Sequence, residues 1–398
     1  MSYQAGRHAR HAAADHPEGP SSADTGVVAL FGAAEVRSSH YGGSDGRHGR
    51  RRWTGAIVAM LAFLVVIGLI VAGAVIVPHW LKRFQAKDYP GPGSGSLLVQ
   101  VREGQTADEI GKTLVGKDVV ASRRAFVNAA KSSGRSHDFQ PGFYRMRERM
   151  AAKDAVKLLL DPKNRVFSKV TLPEGLIVND VLPKLAAVTG IPLADFQSGA
   201  KKLDQLGIPD GYSPKSVEGF LFPQTYEFDP GLSATEVLQQ LVGQYQAVDK
   251  QLNFDESAMA LGIKPYQALI IASMIEGEAK FDADRAKVAR VIYNRLAAHE
   301  PLGIDATSVY EAQVQGKDPR KISYTENSPY NTRKRPGLPP TAIDNPGEAA
   351  MDAAIHPASG PWKYYVVADA QGHLFFTSSY SAFLHAKAKC KAMGWGCG

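Results

Sequence analysis

The sequence predicts an α+β protein in three parts: a single N-terminal transmembrane helix, a small α/β module and a larger mixed α+β domain. Three observations carry this expectation. One uncharged apolar run stands near the N-terminus, and short strand and helix patterns alternate after it. The 398 residues, 44% hydrophobic and 9% aromatic, also suffice for two ordinary domains.

Thr54 to Val77 reads TGAIVAMLAFLVVIGLIVAGAVIV, without a charged residue. At 1.5 Å per residue, roughly 24 residues reach about 36 Å, enough for a bilayer core. The run is apolar on every face and starts too late for a signal peptide, which sets aside a core helix and a cleaved leader. Arg47, Arg50, Arg51 and Arg52 crowd its N-terminal flank beside Trp53, whereas the far flank mixes Lys82, Arg83 and Lys87 with Asp88. The denser basic side is expected in the cytoplasm, giving a single-pass plasma-membrane protein whose later domains are extracytoplasmic. Residues 1–52 lack apolar periodicity and read as a disordered cytoplasmic tail, 53–78 as the membrane helix, and 79–96, which contain YPGPGSGS, as a linker.

Leu97 to Val101 reads as a strand, followed by a turn on Glu103-Gly104 and a helix capped by Thr106, with Ile110 and Leu114 on one face. A second helix is expected around Ser122 to Lys131, a strand over Gly142 to Met146, a helix over Lys153 to Leu160 and a strand over Val166 to Leu172. The segment VREGQTADEIGKTL is echoed by TLPEGLIVNDVLPKL, in which Val178, Val181, Leu182 and Leu185 face inward. The Pro-rich, aromatic VEGFLFPQTYEF then precedes helical patterns near Ala234 to Gln244 and Tyr266 to Leu296. After Leu296, loops are expected to dominate.

The formal charge of +7 is spread along the chain, which suits anionic surfaces without specifying nucleic acid, and no nucleic-acid partner is expected. No Gly-rich loop joins a strand to a helix with the required lysine, so no nucleotide, cofactor or metal is expected. Cys390 and Cys397 lack the repeated pairs of a zinc site and leave open either a disulfide outside the cell or two thiols in a frayed tail. Gly42-Gly43-Ser44-Asp45-Gly46 matches a nucleophile elbow by letter. It falls in the tail without a strand before it or a helix after it, so a Ser-His-Asp hydrolase is set aside.

Chemistry is concentrated in ALIIASMIEGEAKF, Ala268 to Phe281, an apolar helical pattern ending on Glu276 and Glu278. Burial at such a position raises a carboxyl pKa and suits it to general acid/base work. The bland reading of Glu276 is a helix salt bridge to Lys280, worth roughly 0.3 kcal/mol. Arg285 lies in a stripe that is mostly core packing and is a candidate partner for an acid.

The ordered motifs ASMIEGEAKFDADRAKVARVIYNRL, LGIDATSVY, SPYNTRKRPGLPPTAIDNPG and HPASGPWKYYVVAD resemble the endolytic murein transglycosylase family. VEGFLFPQTYEF is similar to that family's EG-(F/W)-x-(F/W)-P-x-T segment. The resemblance implies a LysM-like module over residues 97–170, a catalytic domain over 171–389 and a C-terminal tail over 390–398. The tail from Lys387 onward matches no motif and is expected to be an unstructured extension.

The implied reaction is a lyase cleavage of the bond between N-acetylmuramic acid and N-acetylglucosamine, in which the sugar's C6 hydroxyl attacks C1 and leaves a 1,6-anhydro end. An intramolecular nucleophile removes the need for a second carboxylate to position water. The family's catalytic Glu, taken as the first acid of E-x-E, falls on Glu276, with Glu278 its motif neighbour. Glu218, Gln224, Glu278, Asp305, Ser308, Tyr330 and Asn331 are expected to bind the glycan, each with a turn or cap role as the structural alternative. An amide at Gln224 weakens any second catalytic acid there, and His356 reads as structural. Expected partners are peptidoglycan glycan strands, the membrane and, by family, peptidoglycan synthases. The rival class is a non-enzymatic peptidoglycan-binding or division scaffold.

Overall fold

The computed structural model describes residues 52–84, 86–322 and 324–397, so the expected tail and its Ser44 motif lie outside the described residues. The chain divides into two units, Met1–Phe84 and Gln85–Gly398. In the first, helix α1 (Arg52–Phe84) contains an apolar stretch, Ile57–Val75, long enough to cross a membrane and with none of it buried. The helix continues past Pro78 through part of the expected linker.

The second unit begins with β1 (Pro92–Val101), α2 (Ala107–Gly116), α3 (Arg123–Ser132), β2 (Gly142–Met150) and α4 (Ala152–Leu160). Here too the linker reading meets structure, because β1 starts at Pro92, inside it. Glycine explains the misreading. Gly93 adopts φ +77, and a Cβ on it would stand 2.5 Å from the Glu148 carbonyl oxygen. The Gly-rich segment therefore forms an irregular strand whose register against β2 shifts between Ser94 and Leu97, rather than a tether.

Strands β1 and β2 pair antiparallel, with Val99 opposite Tyr144, and the short β3 (Arg165–Val166) adds to β2. Thr106 caps α2 as expected, in a reciprocal capping box with Glu109, and Ser122 caps α3. Val99, Ile110, Leu114, Phe126, Tyr144 and Met146 close a core between the sheet and the helices.

A second, larger core follows. β4 (Ser168–Thr171) pairs antiparallel with β5 (Thr225–Phe228), and between them lie α5 (Val178–Thr189) and α6 (Leu193–Gly199). Then come α7 (Ala234–Leu252), α8 (Phe254–Ala260), α9 (Pro265–Glu278) and α10 (Asp282–Ala297). Helix α9 is the centre: every residue from Ala268 to Ile275 is buried, so it has no polar face to show an amphipathic pattern.

As expected, loops and turns hold the larger share of the chain after Leu296, as over residues 324–347. Set among them are α11 (Asp305–Val314), α12 (Glu348–Ile355), the hairpin β6 (Tyr364–Val367) and β7 (Leu374–Thr377), and α13 (Tyr380–Met393). These elements are short and flanked by Pro and Gly, which hides their periodicity. The tail from Lys387, however, is not an unstructured extension. Phe383 of α13 stacks on Tyr364 of β6 with ring centroids 5.3 Å apart, and a disulfide joins Cys390 to Cys397.

Candidate active site

The buried helix α9 delivers the two acids of its last turn in different directions, because residues two apart on an α-helix lie about 200° apart around the axis. Glu276 turns toward the start of α10. Arg285 donates to both of its carboxylate oxygens, at 2.8 and 3.2 Å, and the Gly347 backbone N–H donates to it at 3.2 Å. Both side chains are nearly buried, and Arg285 also reaches Asp282 at 3.0 Å and Glu174 at 3.8 Å. The i,i+4 partner suggested by the sequence is absent from this arrangement, since Lys280 donates to the Gln371 carbonyl at 2.9 Å. A Cβ on Gly347 would stand 1.9 Å from Oε1 of Glu174, so a side chain there would push the half-exposed Glu174 carboxylate aside.

Glu278 turns the other way, into a cleft of about 720 Å³ walled by α11, the β6–β7 hairpin and α13. Its carboxylate accepts the Ala306 N–H at 3.3 Å, in the first turn of α11, and the Tyr365 hydroxyl at 3.0 Å. Burial pushes this carboxyl up to about 7, against the pull of those two hydrogen bonds. The residue as a whole is partly exposed and lines the cleft.

Asp305 lines the same cleft, paired in two-pronged fashion with Arg333 at 2.5 and 2.7 Å, and Arg333 in turn lies over the Tyr324 ring at 4.7 Å. Glu278 and Asp305 are thus the two expected binding residues that the fold brings into one cleft. Tyr365 and Arg333 were missed as site residues, although both stand in quoted motifs. The signal for Tyr365 is its position in the YYVV strand of β6, where alternation separates it from Tyr364.

The other expected residues are placed elsewhere. Ser308 and Asn331 border a separate small cavity of about 50 Å³, and Asn331 spends its amide on the Tyr324 and Glu326 carbonyls, stapling its own loop. The Tyr330 hydroxyl bonds Thr341 Oγ1 at 2.9 Å. Gln224 is exposed, and its backbone carbonyl receives the Leu172 N–H.

Glu218 is 2% exposed and serves as an internal tie: it accepts the Val178 N–H that opens α5, at 2.9 Å, and the Asn345 amide at 3.2 Å. Burial pushes its carboxyl up to about 8. Asp344 is also buried, with an Oδ1 lacking a hydrogen bond; burial, then Glu276, then Glu218 raise it well above the usual range.

The raised Glu218 has a measurable consequence. From the ordinary value of 4.5 up to about 8, the folded chain holds this proton longer than the unfolded chain, so stability falls as pH rises through that window. Glu218→Gln keeps the shape and removes the titration. Urea unfolding between about pH 5 and 9 is expected to give a flatter decline for this variant, and an unchanged slope would refute the assignment.

A carboxyl group pushed toward neutrality at the wall of a large cleft is the equipment of a general-acid enzyme. The chain belongs to the YceG-like family, which it matches over residues 99–389. It is 29% identical over 340 residues to an endolytic murein transglycosylase of Bacillus subtilis, covering 81% of this chain and 91% of that one. It is 26% identical over 320 residues to a protein of the same name from Streptococcus pneumoniae, covering 71% of this chain and 56% of that longer protein. The crystal structure of a yceG-like protein from Listeria monocytogenes shares the fold, with a TM-score of 0.50 at 24% identity over 73% of this chain and 98% of the other.

Proposed function

We propose that this chain is an endolytic peptidoglycan lytic transglycosylase that cleaves the MurNAc–GlcNAc bond of nascent glycan strands, leaves 1,6-anhydroMurNAc ends and so terminates strand elongation. The observation that carries this reading is Glu278, a carboxyl pushed up to about 7 at the cleft wall, on the helix end that carries the E-x-E of a motif resembling the murein transglycosylases.

The geometry favours Glu278 over Glu276 for the proton transfers. Glu276 is engaged on both oxygens by the Arg285 guanidinium, whereas Glu278 lines the cleft and accepts from the neutral Ala306 N–H and Tyr365 hydroxyl. In this reading protonated Glu278 gives its proton to the departing glycosidic oxygen while the C6 hydroxyl of the same muramic acid residue attacks C1. The carboxylate so formed takes the hydroxyl's proton as the 1,6-anhydro ring closes. No water is consumed, and Glu278 ends carrying one proton, as it began. Tyr365 and the Ala306 N–H hold the carboxyl in place throughout. Glu276 fixes the end of α9 against α10 and the Gly347 loop.

Two coarser features support the setting. α1 is long and apolar enough to span a membrane, and its arginine-rich N-terminal flank favours a cytoplasmic N-terminus and an extracytoplasmic cleft. The β-α-α-β order of residues 92–150 supports a LysM-like, glycan-binding reading of that module. Peptidoglycan synthases extending the same strands are the partners this placement implies.

The test is to incubate the full-length protein in detergent with isolated peptidoglycan and to identify the new glycan ends by mass spectrometry. Anhydro ends are expected, with kcat/KM falling about tenfold per pH unit above about 7 as the acid form is lost. Reducing ends would mean hydrolysis, and no new ends would favour the scaffold class.

A further inference from the structure

We infer that the C-terminal helix α13 forms a cationic wall of the cleft that receives the free carboxylates of the peptide stem carried by the glycan. This rests on the reading above and names the part of the substrate that the wall would hold.

The charges around the cleft do not balance. Arg333 is neutralised by Asp305 and Lys363 by Glu300, while Arg295 is spent on the carbonyls of Pro301, Leu302 and Lys363. Lys387 and Lys391 also line the cleft, and among the described residues no carboxylate is in ion-pair contact with either. They stand four apart on one face of α13, where like charges repel and cost a helix a few tenths of a kcal/mol. Burial and the nearby Arg333 and Lys391 charges hold the Lys387 ammonium below its ordinary value, so an incoming anion would relieve an existing repulsion.

The wall is also a built one. Phe383 and Tyr380 anchor α13 on Tyr364, and the Cys390–Cys397 disulfide turns the chain end back so that Gly396 and Cys397 border the same cleft. The chemistry of the substrate supplies the matching anion. A peptide stem hangs from the lactyl group of the very sugar whose C1–O bond would break beside Glu278, so it must leave past a neighbouring wall. Its carboxylates are the negative charges closest to the reaction, and the glycan itself is uncharged at those positions.

The test compares glycan strands of equal length with stems intact and with stems removed by an amidase, using full-length protein in detergent. The wild type is expected to favour stem-bearing strands by about tenfold or more in kcat/KM, with the preference shrinking as salt rises. The double variant Lys387→Gln/Lys391→Gln should bring the ratio near one, and Lys387→Arg/Lys391→Arg should keep it. A wild-type ratio near one, or a Gln pair that slows both substrates equally, would overturn the inference. So would stronger competition by inorganic polyphosphate than by free stem peptide, which would mark a phosphate site. Retention of the two strand types by Glu278→Gln protein measures the preference without cleavage, so a failure of the transglycosylase reading is told apart from a failure of this one.

Discussion

Glu278→Gln is expected to lower the rate of anhydro-end formation by about a thousandfold or more, at the strong end of what a single acid/base group contributes. The amide preserves size and can still meet Tyr365 and Ala306, but it can neither give up a proton to the leaving oxygen nor take one from the C6 hydroxyl. The same change should raise stability above pH 7, because the native carboxylate is then charged in a site that disfavours it. Gaining stability while losing activity is the mark of a strained functional group. Glu276→Gln is expected to do the reverse: it removes the carboxylate that grips the nearly buried Arg285 and leaves it Asp282 at 3.0 Å and Glu174 at 3.8 Å, a change that costs about 1.5–3 kcal/mol, while activity persists in molecules that stay folded. Rate measurements and urea unfolding on both variants decide the matter. Loss of chemistry in Glu276→Gln alone would return the catalytic role to the first acid.

Asn345→Ala is expected to be the most damaging substitution for stability among the polar residues of the core. Its Oδ1 accepts the N–H groups of Gly219 and Leu221 at 3.0 and 2.9 Å, and its amide donates to the Leu176 carbonyl and to Glu218. One side chain thereby joins the segment before α12 to the turn at Val217–Phe222 and to the start of α5, which lie far apart in sequence. Truncation strands two buried N–H groups, at about 1–3 kcal/mol each, while the Leu176 carbonyl keeps the Asn345 backbone N–H, so a total on the order of 4 kcal/mol is expected. Urea unfolding measures it, and a loss below about 1 kcal/mol would mean that this loop is held by something else. Because Gly347, two residues on, touches Glu276, the variant should also loosen the ion pair at the end of α9.

Much of this was written in local sequence. The Thr106 cap, the apolar stripe of α2 and the strand Gly142 to Met146 follow from spacing alone, since each depends on neighbours within a few residues. The end of α9 was also legible as a chemical locus, because acids closing a wholly apolar helix are unusual. Which acid meets the cleft was not. That depends on Arg285 reaching back from the next helix and on Tyr365 arriving from a hairpin 87 residues further along the chain, and no local pattern encodes either approach. Glu218 and Asn331 looked like glycan ligands because they are polar residues in motif segments. The fold spends both on backbone groups, a use that shows only once the partner segments are in place. The lysines of α13 were passed over for the opposite reason, since they sit beyond every motif.

The covalent closure at the chain's end gives the wall of the cleft a maturation step. A terminal helix turn frays when only side chains hold it, and tying residue 390 to residue 397 removes roughly 2–3 kcal/mol worth of that freedom. Such a bond does not persist in the reducing cytoplasm where the chain is made. With the orientation proposed for α1, the newly synthesised enzyme would carry a looser rim until it crossed the membrane, and oxidation would then fasten the last part of the site in the compartment that holds its substrate.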